Sequence, residues 1–327
     1  MANFIERTLH PERYHGHSKQ PPFFEGWYYK LIDATEQFRY AVIPGIFLSY
    51  EREKHHAFIQ VLDGQTGASA YFSFPPEQFK ASEDDFDVQI GPNQFRADRI
   101  VLQLNGPELA LKGELTFAGQ SPWPVTLASP GIMGWYGWIP FMECYHGVVS
   151  LDHSLHGELN LNGQRMNFED GRGYIEKDWG QSFPSAWVWM QTNHFTPMGT
   201  CLTASIAVIP SFGRAFPGFI IGLWHDQQLY RFATYTGAQV EKLTVTDERV
   251  TWAVKDRQYR LEMLATRSGG GLLHSPSRTE MHKRVMETLQ STVEVKLSRL
   301  SGETVFHSTG RNAGLEVQGD LTMLLKA

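Results

Sequence analysis

Cysteine is nearly missing from this chain: Cys144 and Cys201 are its only two in 327 residues. A small scaffold held together by disulfides would carry more, so two buried free thiols are expected. Positive charge is not in excess either. Against 35 acidic residues stand 29 basic ones, a net charge of −6, which excludes a nucleic-acid binder relying on bulk positive potential. The longest basic run is Lys283-Arg284, too short for an electrostatic membrane anchor, so at most peripheral membrane contact is expected. No apolar run approaches the roughly 20 residues that span a bilayer. Residues Met1 to Arg13 hold no apolar core behind a basic start, so no signal peptide is expected and a cytoplasmic protein is.

Familiar site motifs are missing as well. Gly171-x-Gly173 lacks the third glycine of a dinucleotide fingerprint, and no GxxxxGK[ST] loop occurs. Gly180-Gln181-Ser182-Phe183-Pro184 has proline where a nucleophile elbow needs glycine. No HExxH, no CxxC and no carboxylate-rich loop accompanies the thirteen histidines, which include His15, His17, His55, His56, His146, His153 and His156. They are read as exposed or hydrogen-bonded, with no metal and no cofactor expected.

Long helical periodicity is also lacking; only Ser277–Gln290 has some helical character, before Val293-Glu294-Val295-Lys296-Leu297 alternates as a strand. What recurs instead is the short strand, about twenty of them, broken by Pro, Gly and Asn-rich turns every 8–12 residues or so. Asn162-Gly163, His225-Asp226 and Asp247-Glu248 sit where hairpin turns belong. The expectation is an all-β chain of two antiparallel barrel or sandwich domains, residues 1–170 and 171–327. Between them in character is Gly119–Pro140, rich in Pro, Gly and Trp, an irregular excursion. Its Trp123, Trp135 and Trp138 need burial, and it is expected to pack over an opening.

Aromatic residues make up 13% of the chain and charged ones only 20%, a balance that suits a large apolar interior or pocket. The chemistry concentrates in Gly171-Arg172-Gly173-Tyr174-Ile175-Glu176-Lys177-Asp178-Trp179-Gly180 and in Trp187-Val188-Trp189-Met190-Gln191-Thr192-Asn193-His194. Strand alternation puts Tyr174, Glu176 and Asp178 on one face, with Lys177 on the other, and lines Trp187, Trp189, Gln191 and Asn193 along one face of the next segment. In Phe23-Phe24-Glu25-Gly26-Trp27-Tyr28-Tyr29-Lys30, Glu25 shares the Trp27 face. The Gly171–Gly180 and Phe23–Lys30 runs each set a carboxyl beside an indole, where low polarity keeps an acid protonated near neutral pH.

These runs together resemble the tocopherol cyclase family. The likeness runs in order through Phe24-Glu25-Gly26-Trp27-Tyr28, Met133-Gly134-Trp135, Pro140-Phe141-Met142-Glu143, Gly147-Val148-Val149-Ser150, the Gly171–Gly180 run, Phe183-Pro184-Ser185-Ala186-Trp187, Asn193-His194-Phe195, Tyr230–Gly237 and Gly310–Val317. It implies a lipocalin-like double barrel, kin to carotenoid hydratases. The implied activity is a cofactor-independent, proton-initiated closure of a prenylated benzoquinol to a chromanol, an intramolecular isomerisation. A hydrophobic isoprenoid would be the ligand. The acid is then sought among Asp178, Glu176 and Glu25, with Asp178 preferred because it adjoins Trp179 at a strand end. Trp27, Trp179, Trp187 and Trp189 would face the developing cation, and Tyr28, Gln191, Asn193 or His194 would orient the quinol oxygens. Glu25, Trp27, Asp178, Trp179, Trp187 and Trp189 are expected to border one apolar cavity. A lipid carrier with the same pocket, or an isoprenoid hydratase or isomerase, are the alternatives.

Overall fold

The computed structural model describes residues 4–107, 109–211 and 213–326. The first sheet comprises β1 (Phe23–Ile32), β2 (Arg39–Leu48), β3 (His56–Asp63), β4 (Ser69–Phe74), β5 (Phe79–Ala81), β6 (Asp87–Ile90), β7 (Asn93–Arg96), β8 (Arg99–Asn105), β9 (Ala110–Ala118), β10 (Cys144–Leu161), β11 (Gln164–Asn167) and β12 (Gly171–Gly180). The second comprises β13 (Trp187–Thr192), β14 (Cys201–Ser211), β15 (Arg214–His225), β16 (Gln228–Ala233), β17 (Gln239–Val245), β18 (Arg249–Lys255), β19 (Tyr259–Thr266), β20 (Gly271–Pro276), β21 (Met281–Arg299) and β22 (Thr304–Gln318). The five-residue α1 (Phe4–Thr8) is the α-helix among the described residues.

Sheet order explains the architecture. The first sheet runs β4-β3-β2-β1-β12-β10-β9-β8-β7-β6-β5 and the second β16-β15-β14-β13-β22-β21-β19-β18-β17. In both, the two edge strands follow one another in the chain: β4 and β5, then β16 and β17. Only a short 3-10 turn separates each pair. A sheet whose opposite edges are joined by so few residues has to curl on itself, which also removes exposed edges. Both sheets share one topology. Four strands meander outward from a central seam, the chain crosses to the far edge and meanders back, and the last strand closes beside the first. The seams are β1/β12 and β13/β22, both antiparallel. The expected all-β pair of antiparallel barrels is what the chain forms, and the topology repeats although the sequence carries no exact repeat.

Alternation fills each interior. Phe23, Trp27, Tyr29 and Leu31 of β1 join Ile175 and Trp179 of β12 in the first core, and Val188, Met190, Ala313 and Leu315 lie in the second. Each fully buried large apolar side chain contributes about 1.5–3 kcal/mol. Cys144 and Cys201 are free thiols.

The compact units divide at Phe183/Pro184, and Leu272–Arg284 belongs with the first. Gly171–Gly180, expected to open the second domain, is instead central to the first sheet, because β12 pairs on one side with β1 and on the other with β10. Residues 272–284 join the first unit through polar contacts. The Gln60 amide donates to the His274 carbonyl at 3.0 Å and accepts from the His274 N–H at 2.7 Å, while Ser49 Oγ donates to the Thr279 carbonyl at 2.8 Å. The helical character expected at Ser277–Gln290 is overridden: Ser277 to Glu280 make the turn, and β21 alternates buried with less buried residues from Leu289 onward. Asn162 and Gly163 form a two-residue hairpin turn with φ of 51° and 92°, as expected. The next turn falls one residue later than expected, on Asp226 and Gln227, both at positive φ.

The β10/β12 ladder slips at Ser150 and again before His153. This bulge turns His153 inward, where its Nδ1 donates to Ser150 Oγ at 3.0 Å and its ring lies 4.7 Å from that of Phe117. Burial pushes its pKa down to about 3, so it is neutral. A Cβ on Gly173 would stand 2.1 Å from His153 Nε2, which is why glycine is required there. Gly173→Ala should destabilise the protein by about 1–3 kcal/mol, and His153→Ala in the same chain should recover most of it. Urea denaturation of the three variants checks this.

Candidate functional site

The β1/β12 register sets Glu25 opposite Trp179, Trp27 opposite Lys177 and Tyr28 opposite Glu176. Alternation then sorts them. Glu25, Trp27, Lys177 and Trp179 point to the core of the first barrel, and Tyr28, Tyr174, Glu176 and Asp178 to the other side of the sheet.

On the core side Lys177 Nζ lies 2.6 Å from Glu25 Oε1, and both side chains are fully buried. The ammonium also donates to His15 Nδ1 at 2.8 Å and to the Arg13 carbonyl, which engages all three of its protons. It stands 5.0 Å from the Trp27 ring centre and 4.6 Å from that of Trp179, a cation–π arrangement. Glu25 in turn accepts the His15 backbone N–H at 2.9 and 3.1 Å. Burial works to raise the Glu25 pKa, but Lys177 and His15 outweigh it and hold the carboxyl below its ordinary value. Glu25 is therefore an ionised structural partner, not the neutral acid expected among the three candidates.

The network fastens the N-terminal segment to the barrel. Trp27 Nε1 donates to the Glu12 carbonyl at 3.0 Å. His15, whose Nδ1 is occupied by the ammonium, donates through Nε2 to the Arg7 carbonyl at 3.1 Å. Burial, then Lys177, lower its pKa, so the ring is neutral. It stacks on Trp179 at 4.4 Å and 13°, and Tyr145 of β10 stacks on the same indole at 5.3 Å and 7°.

A pocket of about 100 Å³ opens beside this stack. The N-terminal segment lines it with Phe4, Arg7, Pro11, His15 and Lys19; the 119–140 excursion adds Pro130, Met133, Gly137 and Pro140; the barrel supplies Tyr145, His146 and Trp179. The excursion does border an opening, as expected. Its tryptophans differ from expectation: Trp123 is buried, but Trp135 is 51% exposed, because it sits on an outlying 3-10 turn (Gly134–Trp138).

His146, itself among the lining residues, shares the face of the sheet that carries the acids. It pairs with Asp178 across β10/β12, its Nδ1 lies 2.9 Å from Asp178 Oδ1, and its Nε2 lies 3.6 Å from Glu176 Oε2. Tyr174 donates its hydroxyl to the other side of the cluster, 2.5 Å from Glu176 Oε2. Burial alone would lower the imidazole's pKa; the Asp178 and Glu176 charges and the hydrogen bond to Asp178 overcome it and push it up to about 9. Near neutral pH the ring carries a proton between two carboxyls. Asp178 keeps about a third of its side chain exposed, while Glu176 is 5% exposed. One ligand atom from each of the three residues falls within 4.8 Å of the others, a set able to hold a divalent ion; the 2.9 Å separation of Nδ1 and Oδ1 is equally that of a hydrogen bond.

The remaining expected residues lie in the second unit, on β13 and just beyond it. Trp187, Trp189 and Gln191 share one face, as alternation required, but it is the face away from the second core. All three are buried. Trp187 Nε1 donates to Glu316 Oε2 at 2.6 Å, and Gln191 Nε2 reaches Cys201 Sγ at 3.7 Å. Trp189 rides over Gly314, where a Cβ would come within 2.6 Å of its ring. Asn193 Oδ1 and His194 Nδ1 are 2.9 Å apart. Of the six residues expected to border one cavity, four belong to the first unit; there the sheet separates Asp178 from Glu25, Trp27 and Trp179, and of these four Trp179 lines the pocket.

A double β-barrel with an aromatic pocket and a histidine–carboxylate cluster at the seam of one barrel is the class of protein so defined. The chain belongs to the tocopherol cyclase-like family, whose pattern matches residues 118–319. It is 23% identical to "Tocopherol cyclase, chloroplastic" of Zea mays and 22% identical to "Probable tocopherol cyclase, chloroplastic" of Oryza sativa subsp. japonica, each alignment covering 96% of this chain and 78% of the relative. Among solved structures it resembles CghA with Sch210972, with a TM-score of 0.57 and 14% identity over 92% of this chain and 89% of that one. Kievitone hydratase from Nectria haematococca gives 0.50 at 11% identity over 94% of each chain. These two likenesses concern the fold.

Removing one partner of the buried pair strands the other. Lys177→Met and Glu25→Gln should each cost about 3–5 kcal/mol. Because the Glu25 pKa is lowered in the folded state, its contribution is present above the unfolded carboxylate range and lost as pH falls through the folded value. Lys177→Met should therefore shift acid unfolding to higher pH; an unchanged acid midpoint by circular dichroism would contradict the assignment.

Proposed function

We propose that this protein is a cofactor-independent cyclase that protonates the prenyl alkene of a benzoquinol and closes a chromanol ring. The observation that carries the reading is the geometry of His146, a residue of the pocket lining whose ring nitrogens lie 2.9 Å from Asp178 and 3.6 Å from Glu176, an arrangement that pushes its pKa up to about 9. Membership of the tocopherol cyclase-like family supports it independently.

Ring closure adds a proton to one alkene carbon while the phenol oxygen bonds to the other; the phenol proton then returns to the protein, and mass is unchanged. The cluster meets both proton demands. It enters the cycle carrying a proton at the pocket wall through His146, and it recovers one from the phenol. Asp178, preferred on sequence as the donor, holds and recharges the imidazole in this scheme. Once the proton has left, two carboxylates remain beside the cationic carbon and favour it electrostatically. The stacked indole and phenol faces add cation–π attraction of about 0.5–2 kcal/mol for a well-placed ring. Glu25, Trp27 and Lys177 support the wall, and Tyr28, Trp187, Trp189, Gln191, Asn193 and His194 are assigned no step.

Purified protein incubated with prenylated benzoquinols should give a product of unchanged mass that has lost one phenol and the reacting alkene. General acid catalysis is worth about 10²–10⁴-fold, so His146→Gln should lower turnover by that much. Asp178→Asn should lower it less, with folding preserved in both. Activity should survive chelators. Turnover by His146→Gln at the wild-type rate would reject the donor assignment, and tight quinol binding without turnover in the wild type would favour a carrier.

A further inference from the structure

We propose that the rim of this pocket is a docking surface for a phospholipid bilayer, through which a membrane-dissolved substrate enters. Exposed apolar side chains concentrate there. Phe4, Ile5, Val125, Leu127, Trp135 and Phe141 are all 37% exposed or more, and all come from the two segments that build the pocket mouth. Phe4 and Leu127 are tied together through Trp138. The Phe4 ring lies 6.0 Å from that of Trp138, whose Nε1 donates to the Leu127 carbonyl at 2.9 Å. Phe141 follows the lining residue Pro140, and this turn is fixed by Tyr145, whose hydroxyl donates to the Ile139 carbonyl at 2.6 Å.

Charge selects the occupant. Not one charged residue occurs between Gly119 and Met142 in a chain that is 20% charged. A patch so free of ionic groups and so rich in indole and phenyl rings fits the boundary between headgroups and acyl chains, where such rings insert. Besides His146, the charged residues lining the pocket are Arg7 and Lys19, with no acid among them, although the whole chain is net negative. That complements anionic lipid headgroups; with so few cations it is an apolar docking face with a basic edge, not a polybasic anchor. No helix among the described residues is long and apolar enough to cross a membrane. The choice of a lipid surface over a protein partner rests on the prenyl-lipid reading given above.

The test is flotation with phosphatidylcholine vesicles, with and without phosphatidylglycerol and with no quinol present, on the wild type and on the triple variant Leu127→Ser, Trp135→Ser, Phe141→Ser. All three side chains are exposed and outside the pocket lining, so the variant should fold and should cyclise quinol in detergent micelles like the wild type. The wild type should float with vesicles, more tightly when phosphatidylglycerol is present. The triple variant should bind at least tenfold more weakly and lose cyclisation of vesicle-borne quinol. Equal flotation of both proteins, or none by the wild type, overturns the docking surface and leaves the cyclase reading standing if micellar activity persists. Flotation lost in the variant with no cyclisation by either protein overturns the cyclase reading alone. Sedimentation showing a wild-type dimer that the variant abolishes, without vesicle binding, would assign the rim to a second copy of the chain.

Discussion

The buried pair of Lys177 and Glu25 is the constraint on which the site depends. Two opposite charges at 2.6 Å with no solvent access are tolerable only when their other valences are filled, because desolvating each ion costs several kcal/mol. The groups that fill them are the Arg13 carbonyl, His15 Nδ1 and the His15 backbone N–H. All of these belong to a segment that would otherwise lie loose before the first strand. The pair thereby recruits that segment to the barrel mouth, and the segment becomes a pocket wall. Packing and electrostatics act here as one device: the same ammonium that needs the carbonyl also lies against Trp27 and Trp179.

The seam between first and last strands gives this device its place. At β1/β12 one face of the sheet holds the Lys177–Glu25 pair and the other holds Glu176 and Asp178 with His146. Adjacent residues of one strand thus serve opposite tasks: Glu176 and Asp178 hold a proton, and Lys177 between them holds the wall. The separation by a sheet's thickness keeps the ammonium from claiming the acids, leaving them to the imidazole. The corresponding seam of the second barrel, β13/β22, also gathers buried polar groups on its non-core face, with Trp187 bonded to Glu316.

Much of this was legible in the sequence because strand alternation is strict. The common face of Tyr174, Glu176 and Asp178, the Glu25–Trp27 face and the opposite placement of Lys177 all follow from period two. So does the all-β class, from turn spacing. Register is what the sequence could not supply. Nothing in Phe23–Lys30 announces that Glu25 will meet Lys177, and so a carboxyl beside an indole looked like a proton donor when it is half of an ion pair. His146 was missed for the same reason: within Cys144–Leu161 it reads as one more polar strand residue, and only β10 pairing against β12 brings it to Asp178. The signal that could have found it was its place just before Gly147-Val148-Val149-Ser150, one of the matching stretches. Trp187 and Trp189 were read correctly as neighbours on one face, but aromatic content does not reveal which face of a sheet is the core.

The central claim is that His146 is held protonated at the pocket wall by two carboxyls. Its imidazole can be followed directly by heteronuclear NMR in the unliganded protein. The account predicts a midpoint near 9, falling toward the ordinary histidine range in Asp178→Asn. A midpoint at or below 6.5 in the wild type, unchanged by that substitution, would contradict it.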